Sequence, residues 1–190
     1  MEDVESLRKR CWDKAFFAFG TARVFERRAE KLRRIRTWLL FLGIAGPLTI
    51  GGVAMSFDSS RAWLSALIAV VALVLLVQLI MSAWGLVARW DEQYESAVNS
   101  VVINNELFNG FSDLARGASN LISMDYAILN ERNRAQEVAD SKYPLTSYEK
   151  RYAMRLSLIQ FQRECEQCRQ RPQSINEASD CVVCGNLKER

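Results

Sequence analysis

Two runs of this chain, residues 37–56 and 62–88, carry no charged side chain, and only five residues separate them. They point to a membrane protein rather than a soluble domain. A helix rises about 1.5 Å per residue and the hydrocarbon core of a bilayer is about 30 Å thick, so roughly 20 residues cross it. Both runs are long enough. The second has 27 residues and is expected to tilt or to extend past the bilayer. The mean hydropathy of -0.07 conceals this segregation, because it averages two apolar runs with a very polar remainder.

The connector 57–61 is too short to let two helices separate far, so an antiparallel hairpin with both termini on one side is expected. Eleven Lys and Arg precede residue 37, while the connector carries only Arg61. The positive-inside rule then places both termini in the cytoplasm. A cleavable signal peptide fits poorly with an apolar run that begins behind such a long charged segment. Five cysteines agree with cytoplasmic termini, where thiolates hold metal more readily than they form disulfides.

Residues 5–36 read as one helix. Cys11, Ala15, Ala18, Ala22, Phe25, Ala29 and Leu32 recur at alternating spacings of three and four, a heptad-like seam of mostly small residues. No proline interrupts its passage into the first apolar run. That run holds Gly43, Gly46, Gly51, Gly52 and Pro47, which suits either ordinary close packing of helices or a hinge. In the second run Gln78 lies deep, with Ser82 one turn beyond and Ser65 on the entering side. The buried amide needs a partner, either on another helix or in water inside a pore built by several copies.

After Arg89 the chain stays helical. Tyr94, Val98, Val101, Asn105 and Phe108 continue a three-four pattern that Gly110 and Gly117 weaken, and a further helix is expected over 119–139. Pro144 marks a break. Thr146 or Ser147 then caps a last helix whose inner face is read as Tyr152, Leu156 and Ile159. The expected fold is an all-α membrane protein in four segments. A basic cytoplasmic helix (1–36) leads into a transmembrane hairpin (37–56 and 62–88), a helical cytoplasmic domain (89–164) and a double-CxxC tail (165–190).

That tail carries the clearest chemical signature. Cys165 and Cys168 form one CxxC, twelve residues follow, and Cys181 and Cys184 form another, with Gly185 behind it. Two thiolates two residues apart grip a metal from one tight turn, and a second pair completes a tetrahedron suited to one structural Zn2+ per chain. Four ligands leave no open coordination position, so chemistry at the metal is not expected. The metal would instead supply folding free energy to a tail with little apolar area. Redox-active cysteines and an iron–sulfur site are the other readings, and Cys11, without a local partner, is read as a packed thiol.

Enzymatic function is not expected. With no histidine, Ser-His-Asp and Cys-His mechanisms are excluded, and neither a GxxxxGK[ST] phosphate loop nor a GxGxxG turn occurs. Arg23, Arg27, Lys31 and Arg34 follow one helical face, where several copies would present a cationic ring to a phosphorylated ligand. Salt bridges to Glu26 and Glu30 and anionic headgroups explain the same charge.

The basic helix ending in residues 31–38 (KLRRIRTW), the tight hairpin and the long helical remainder resemble the SLATT family of bacterial two-transmembrane effectors across roughly residues 10–140. The tail is similar to that of small proteins of bacterial mobile elements. The SLATT resemblance implies a multi-pass protein of the bacterial inner membrane that oligomerises into a pore during antiphage defence. In systems of the Hailong type a separate nucleotidyltransferase makes the nucleotide or oligonucleotide that regulates the channel. The expectation is therefore a homo-oligomeric channel, a tetramer, with Gln78 and Ser82 on the conducting path. A membrane-anchored module that recruits a protein or nucleic acid without conducting is the alternative.

Overall fold

The computed structural model describes residues 4–56, 62–117, 122–177 and 179–187. The connector 57–61, on which the expected hairpin turns, lies outside them, as does the expected helix start at 119–121. Five helices, and no strand among the described residues, follow in order: α1 (Val4–Ser56), α2 (Ala62–Val87), α3 (Trp90–Ala115), α4 (Ile122–Asp140) and α5 (Ser147–Gln160). The chain divides into two compact units, one of residues 1–28 with 96–190 and one of residues 29–95.

The first unit is organised around the small-residue face of α1. Cys11, Ala15, Ala18, Ala22 and Phe25 are all buried, as the seam predicts. Cys11, Ala15 and Ala18 join Leu107, Phe111, Leu114 and Ala115 of α3 in one apolar cluster. Burial there raises the pKa of the Cys11 thiol, with Arg10 acting weakly against it.

The inner face of α3 is displaced from the one read in the sequence. Val98 is 38% exposed, and the buried row is Ala97, Ser100, Asn104, Leu107, Phe111 and Leu114. Two polar residues turn inward because α4 satisfies them. Ser100 Oγ donates to Asp140 Oδ1 at 2.6 Å and Asn104 Nδ2 to Asp140 Oδ2 at 3.1 Å, while Gln136 Nε2 reaches the same Asp140 at 2.6 Å. A buried polar group that finds its partners contributes to a specific packing instead of opposing it. Gly110 does not weaken α3; a Cβ there would press on Leu129 of α4 at 3.1 Å, so its bare backbone lets the two helices meet.

Thr146 caps α5 as expected. Its hydroxyl accepts from Glu149 N–H at 3.2 Å, and its own N–H donates to Glu149 Oε2 at 2.8 Å, a reciprocal capping box worth about 1 kcal/mol. Arg28 of α1 grips the same carboxylate with Nε and Nη2, both at 2.6 Å. Burial alone would raise the Glu149 pKa, but the guanidinium and the Thr146 donors prevail and hold it at about 2. The inward residues of α5 are Arg155, Ser157 and Leu158; Tyr152, Leu156 and Ile159 are only half-buried. The register is fixed by Gly20 of α1, where a Cβ would stand 3.0 Å from the Ala153 carbonyl oxygen, and Ser157 donates to the Phe16 carbonyl at 2.9 Å.

The second unit is built differently. Within it the C-terminal part of α1 touches α2 at two glycines: a Cβ on Gly43 would lie 2.7 Å from Gln78 Nε2, and one on Gly46 would lie 2.5 Å from Leu75 Cδ2. Ile68–Val87 of α2 is long and apolar enough to cross a membrane, and none of it is buried. That exposure is unlike the core helix of a soluble protein. Arg36 pairs with Asp91 at 3.1 Å and lies over the Tyr94 ring at 5.0 Å.

Candidate metal centre

After α5 the chain has almost no regular structure, and its order comes from two similar turns. In the first, Arg169 N–H donates to the Cys165 carbonyl at 2.8 Å; in the second, Gly185 N–H donates to the Cys181 carbonyl at 2.8 Å. Each turn presents two cysteines on one side. The turns are finished by residues in the left-handed region, Arg169 at φ 57° and Asn186 at φ 56°. Gly185 is needed for space, since a Cβ there would strike the Ser179 carbonyl oxygen and lie 2.7 Å from Cys181 N.

The turns face each other. The four Sγ atoms of Cys165, Cys168, Cys181 and Cys184 lie within 4.8 Å of one another. Across the turns, Cys165 and Cys181 are 3.9 Å apart and Cys168 and Cys184 are 3.7 Å apart. No disulfide joins them. Metal–sulfur bonds of about 2.3 Å in a tetrahedron require sulfur–sulfur edges of about 3.8 Å. The four cysteines are therefore close enough to hold a metal ion, and both cross-turn distances fit a tetrahedral one.

Electrostatics point the same way. Burial tends to raise the Cys181 pKa, but N–H groups of Cys184 and Val183 and the thiols of Cys184 and Cys168 outweigh it, leaving a value of about 7. The Cys184 thiol moves in the opposite direction, pushed up by burial and by the neighbouring thiols. The Cys181 thiolate is stabilised at the expense of the Cys184 thiol, and a cation between the two turns would favour ionisation of both.

The centre rests on the first unit. Cys165 and Cys184 are buried and pack with Phe16 of α1 and Leu158 of α5. Arg155 of α5, 1% exposed, reaches into the tail. It donates from Nε to the Ser174 carbonyl at 2.8 Å, from Nη2 to the Glu177 carbonyl at 2.7 Å and from Nη1 to the Cys184 carbonyl at 3.2 Å. Sequence reasoning missed this residue. Its signal is an arginine ten residues before Cys165, one helical turn from Leu158 and so on the same face.

The other sequence candidates are not gathered into one place. Arg23 pairs with Glu26 at 2.6 Å and lies 5.2 Å from the Phe19 ring centroid. Arg27 donates to the Tyr148 hydroxyl at 2.9 Å and lies 5.0 Å from the Tyr152 ring. Both belong to the first unit. In the second unit Lys31 is exposed and Arg34 pairs with Glu30 at 2.5 Å. Also there, Gln78 Nε2 donates to the Leu39 carbonyl at 3.0 Å, while Gln78 Oε1 has no hydrogen-bond partner among the described residues. Ser82 is half-buried.

Among the described residues these features define an all-helical protein with one helix long and apolar enough to cross a membrane and a four-cysteine tail able to hold a metal. The chain belongs to the Mobilome CxxCx(11)CxxC protein family, whose model matches residues 8–187. Its own spacer, from 169 to 180, has twelve residues where the family description has eleven. The spacer carries no ligand, so one extra residue leaves the cysteine geometry intact. No curated protein and no solved structure matches the chain.

Proposed function

We propose that this is a multi-pass inner-membrane protein that assembles into a homo-oligomeric channel, with structural zinc fixing its cytoplasmic tail. The observation that carries the reading is that no residue of the apolar segment Ile68–Val87 is buried in a single chain. An apolar helix surface of that length is stable only against lipid or further copies, and a polar path through lipid requires several copies to screen it. The glycine contacts between α1 and α2 support a two-helix transmembrane hairpin as the repeating element, and a tetramer is the assembly we propose. Gln78 supports a polar path, because its Oε1 is left for water or for a neighbouring copy.

On the SLATT resemblance, the channel is an antiphage effector gated by a nucleotide or oligonucleotide from a separate nucleotidyltransferase. Membership of a mobilome family suits that role. Four soft thiolate ligands in a tetrahedral arrangement favour Zn2+ over harder cations. The decisive experiment is ion flux from liposomes containing the purified chain, with and without candidate nucleotides. Flux that depends on protein and changes with Gln78→Leu is expected; a strictly monomeric protein in detergent, with no flux under any ligand, would end the channel reading.

One observation favours a second reading. The Gln78 amide already finds the Leu39 carbonyl inside one chain, as in a packed, non-conducting anchor that holds the metal-bearing unit at the membrane. In that case Gln78→Leu leaves membrane residence and partner recruitment unchanged.

A further inference from the structure

The first unit contains clefts of contrasting chemistry. One of about 580 Å³ sets Arg27 against Glu177 and Asp180, and one of about 230 Å³ is walled partly by Glu137 and Asp140. A third, of about 470 Å³, between α1, α3 and the end of α5, has no carboxylate in its lining. Its walls are the rings of Trp12, Phe108 and Phe161, with Arg116, Arg163 and the hydroxyl of Ser112. From these residues we infer that this cleft is a binding site for a flat aromatic anion, either a nucleotide or an aromatic carboxylate.

Three features converge on that ligand. The Phe161 ring stands nearly perpendicular to those of Trp12 and Phe108, with centroids 6.1 and 6.2 Å away, so a planar guest meets both a ring face and ring edges. Two guanidiniums, each ion-paired with a carboxylate, supply spare N–H donors. Asp13 holds Arg163 at 2.7 Å and Asp113 holds Arg116 at 3.4 Å, each through one Nη1, and a guanidinium has five N–H donors. The Arg116 head also lies 6.0 Å from the Trp12 ring. Ser112 Oγ, in a residue 2% exposed, has no hydrogen-bond partner among the described residues. A buried hydroxyl left without a partner is costly, and a polar ligand atom in the cleft relieves that cost. The volume lies within the range of small-molecule sites.

This site goes beyond the channel reading and does not rest on it. Binding is measured calorimetrically on the full chain in detergent, with AMP and anthranilate as probes and adenosine and inorganic phosphate as the ring-only and anion-only controls. The expected result is saturable binding of AMP or anthranilate, one per chain, with each control at least about tenfold weaker. Which probe binds tighter distinguishes the nucleotide from the carboxylate source. Arg116→Gln, at an exposed side chain, should weaken binding about tenfold or more. Ser112→Ala should weaken it severalfold without lowering the melting temperature, because the hydroxyl it removes bonds nothing in the unliganded protein. Failure of both probes to saturate, or unchanged affinity in both variants, overturns the proposal. AMP binding that responds to both variants, with no ion flux from liposomes, leaves the site standing and counts only against the channel.

Discussion

Phe111 in α3 and Leu79 in α2 are both large apolar side chains on helices of equal length, yet the first is 0% exposed and the second 67%. The first unit turns its apolar residues inward and even takes Ser100, Asn104, Gln136 and Arg155 inside by satisfying their hydrogen bonds. In the second unit, Leu, Val and Ile are exposed along α2. The contrast shows that apolar content alone does not make a core; what decides is whether the rest of the chain supplies a surface to cover it. Along α2 a stripe of Val71, Leu75, Gln78, Ser82 and Gly85 is half-buried, with Leu75 and Gln78 against Gly46 and Gly43, while large apolar side chains such as Leu73, Leu76 and Leu79 stay exposed.

The largest expected effect lies at the cysteines. Replacing Cys165 and Cys184 together with Ser should reduce bound metal from about one ion per chain to below about 0.1, because two of four tetrahedral ligands are gone. Elemental analysis of purified protein checks this, and a wild-type protein without metal would break the metal reading. Next, Phe111→Ala should cost about 3–5 kcal/mol, whereas Leu79→Ala in detergent should fall within about 1 kcal/mol. Parallel melting curves that show equal losses would mean that α2 is packed after all. Arg155→Met should cost about 3 kcal/mol by leaving carbonyls of residues 174, 177 and 184 without donors. Its mark is a tail that becomes sensitive to proteolysis while the helices persist.

The smallest effect concerns pH. The Glu149 carboxylate has a folded pKa of about 2 against an ordinary 4.5, so the unfolded chain takes up its proton first as pH falls. Its contribution is fully present above about pH 4.5 and is lost progressively toward pH 2. Acid titration of the melting temperature should show that slope, and Glu149→Gln should flatten it.

Much of the first unit was legible in the sequence. The seam from Cys11 to Phe25, the break at Pro144 and the capping box at Thr146 follow from local spacing and cap chemistry, and the four cysteines from their motif. The inner faces of α3 and α5 were not legible, because they depend on partners distant in sequence. Asn104 is inward on account of Asp140, and Arg155 on account of carbonyls 19 to 29 residues away. Large apolar residues such as Val98 and Ile159 mislead there, since the closest approaches are made by Gly20, Ser157 and Ser100. The charged face of α1 is legible only as charge. Neighbouring acids and tyrosines, which periodicity does not register, occupy Arg23, Arg27 and Arg34.

The hydroxyl of Ser157 bonds the carbonyl of Phe16 across 141 positions of sequence. On a ribosome working at about 5–20 residues per second, the first helix therefore waits about 7 to 28 seconds for the surface that covers it. Ile68–Val87 emerges long before that surface exists. Commitment of the apolar helix to its medium thus precedes closure of the unit whose two pieces flank it in the chain. The apolar helix is made between the two pieces of that unit, and the cysteine turns pack on α1 and α5 only after both exist.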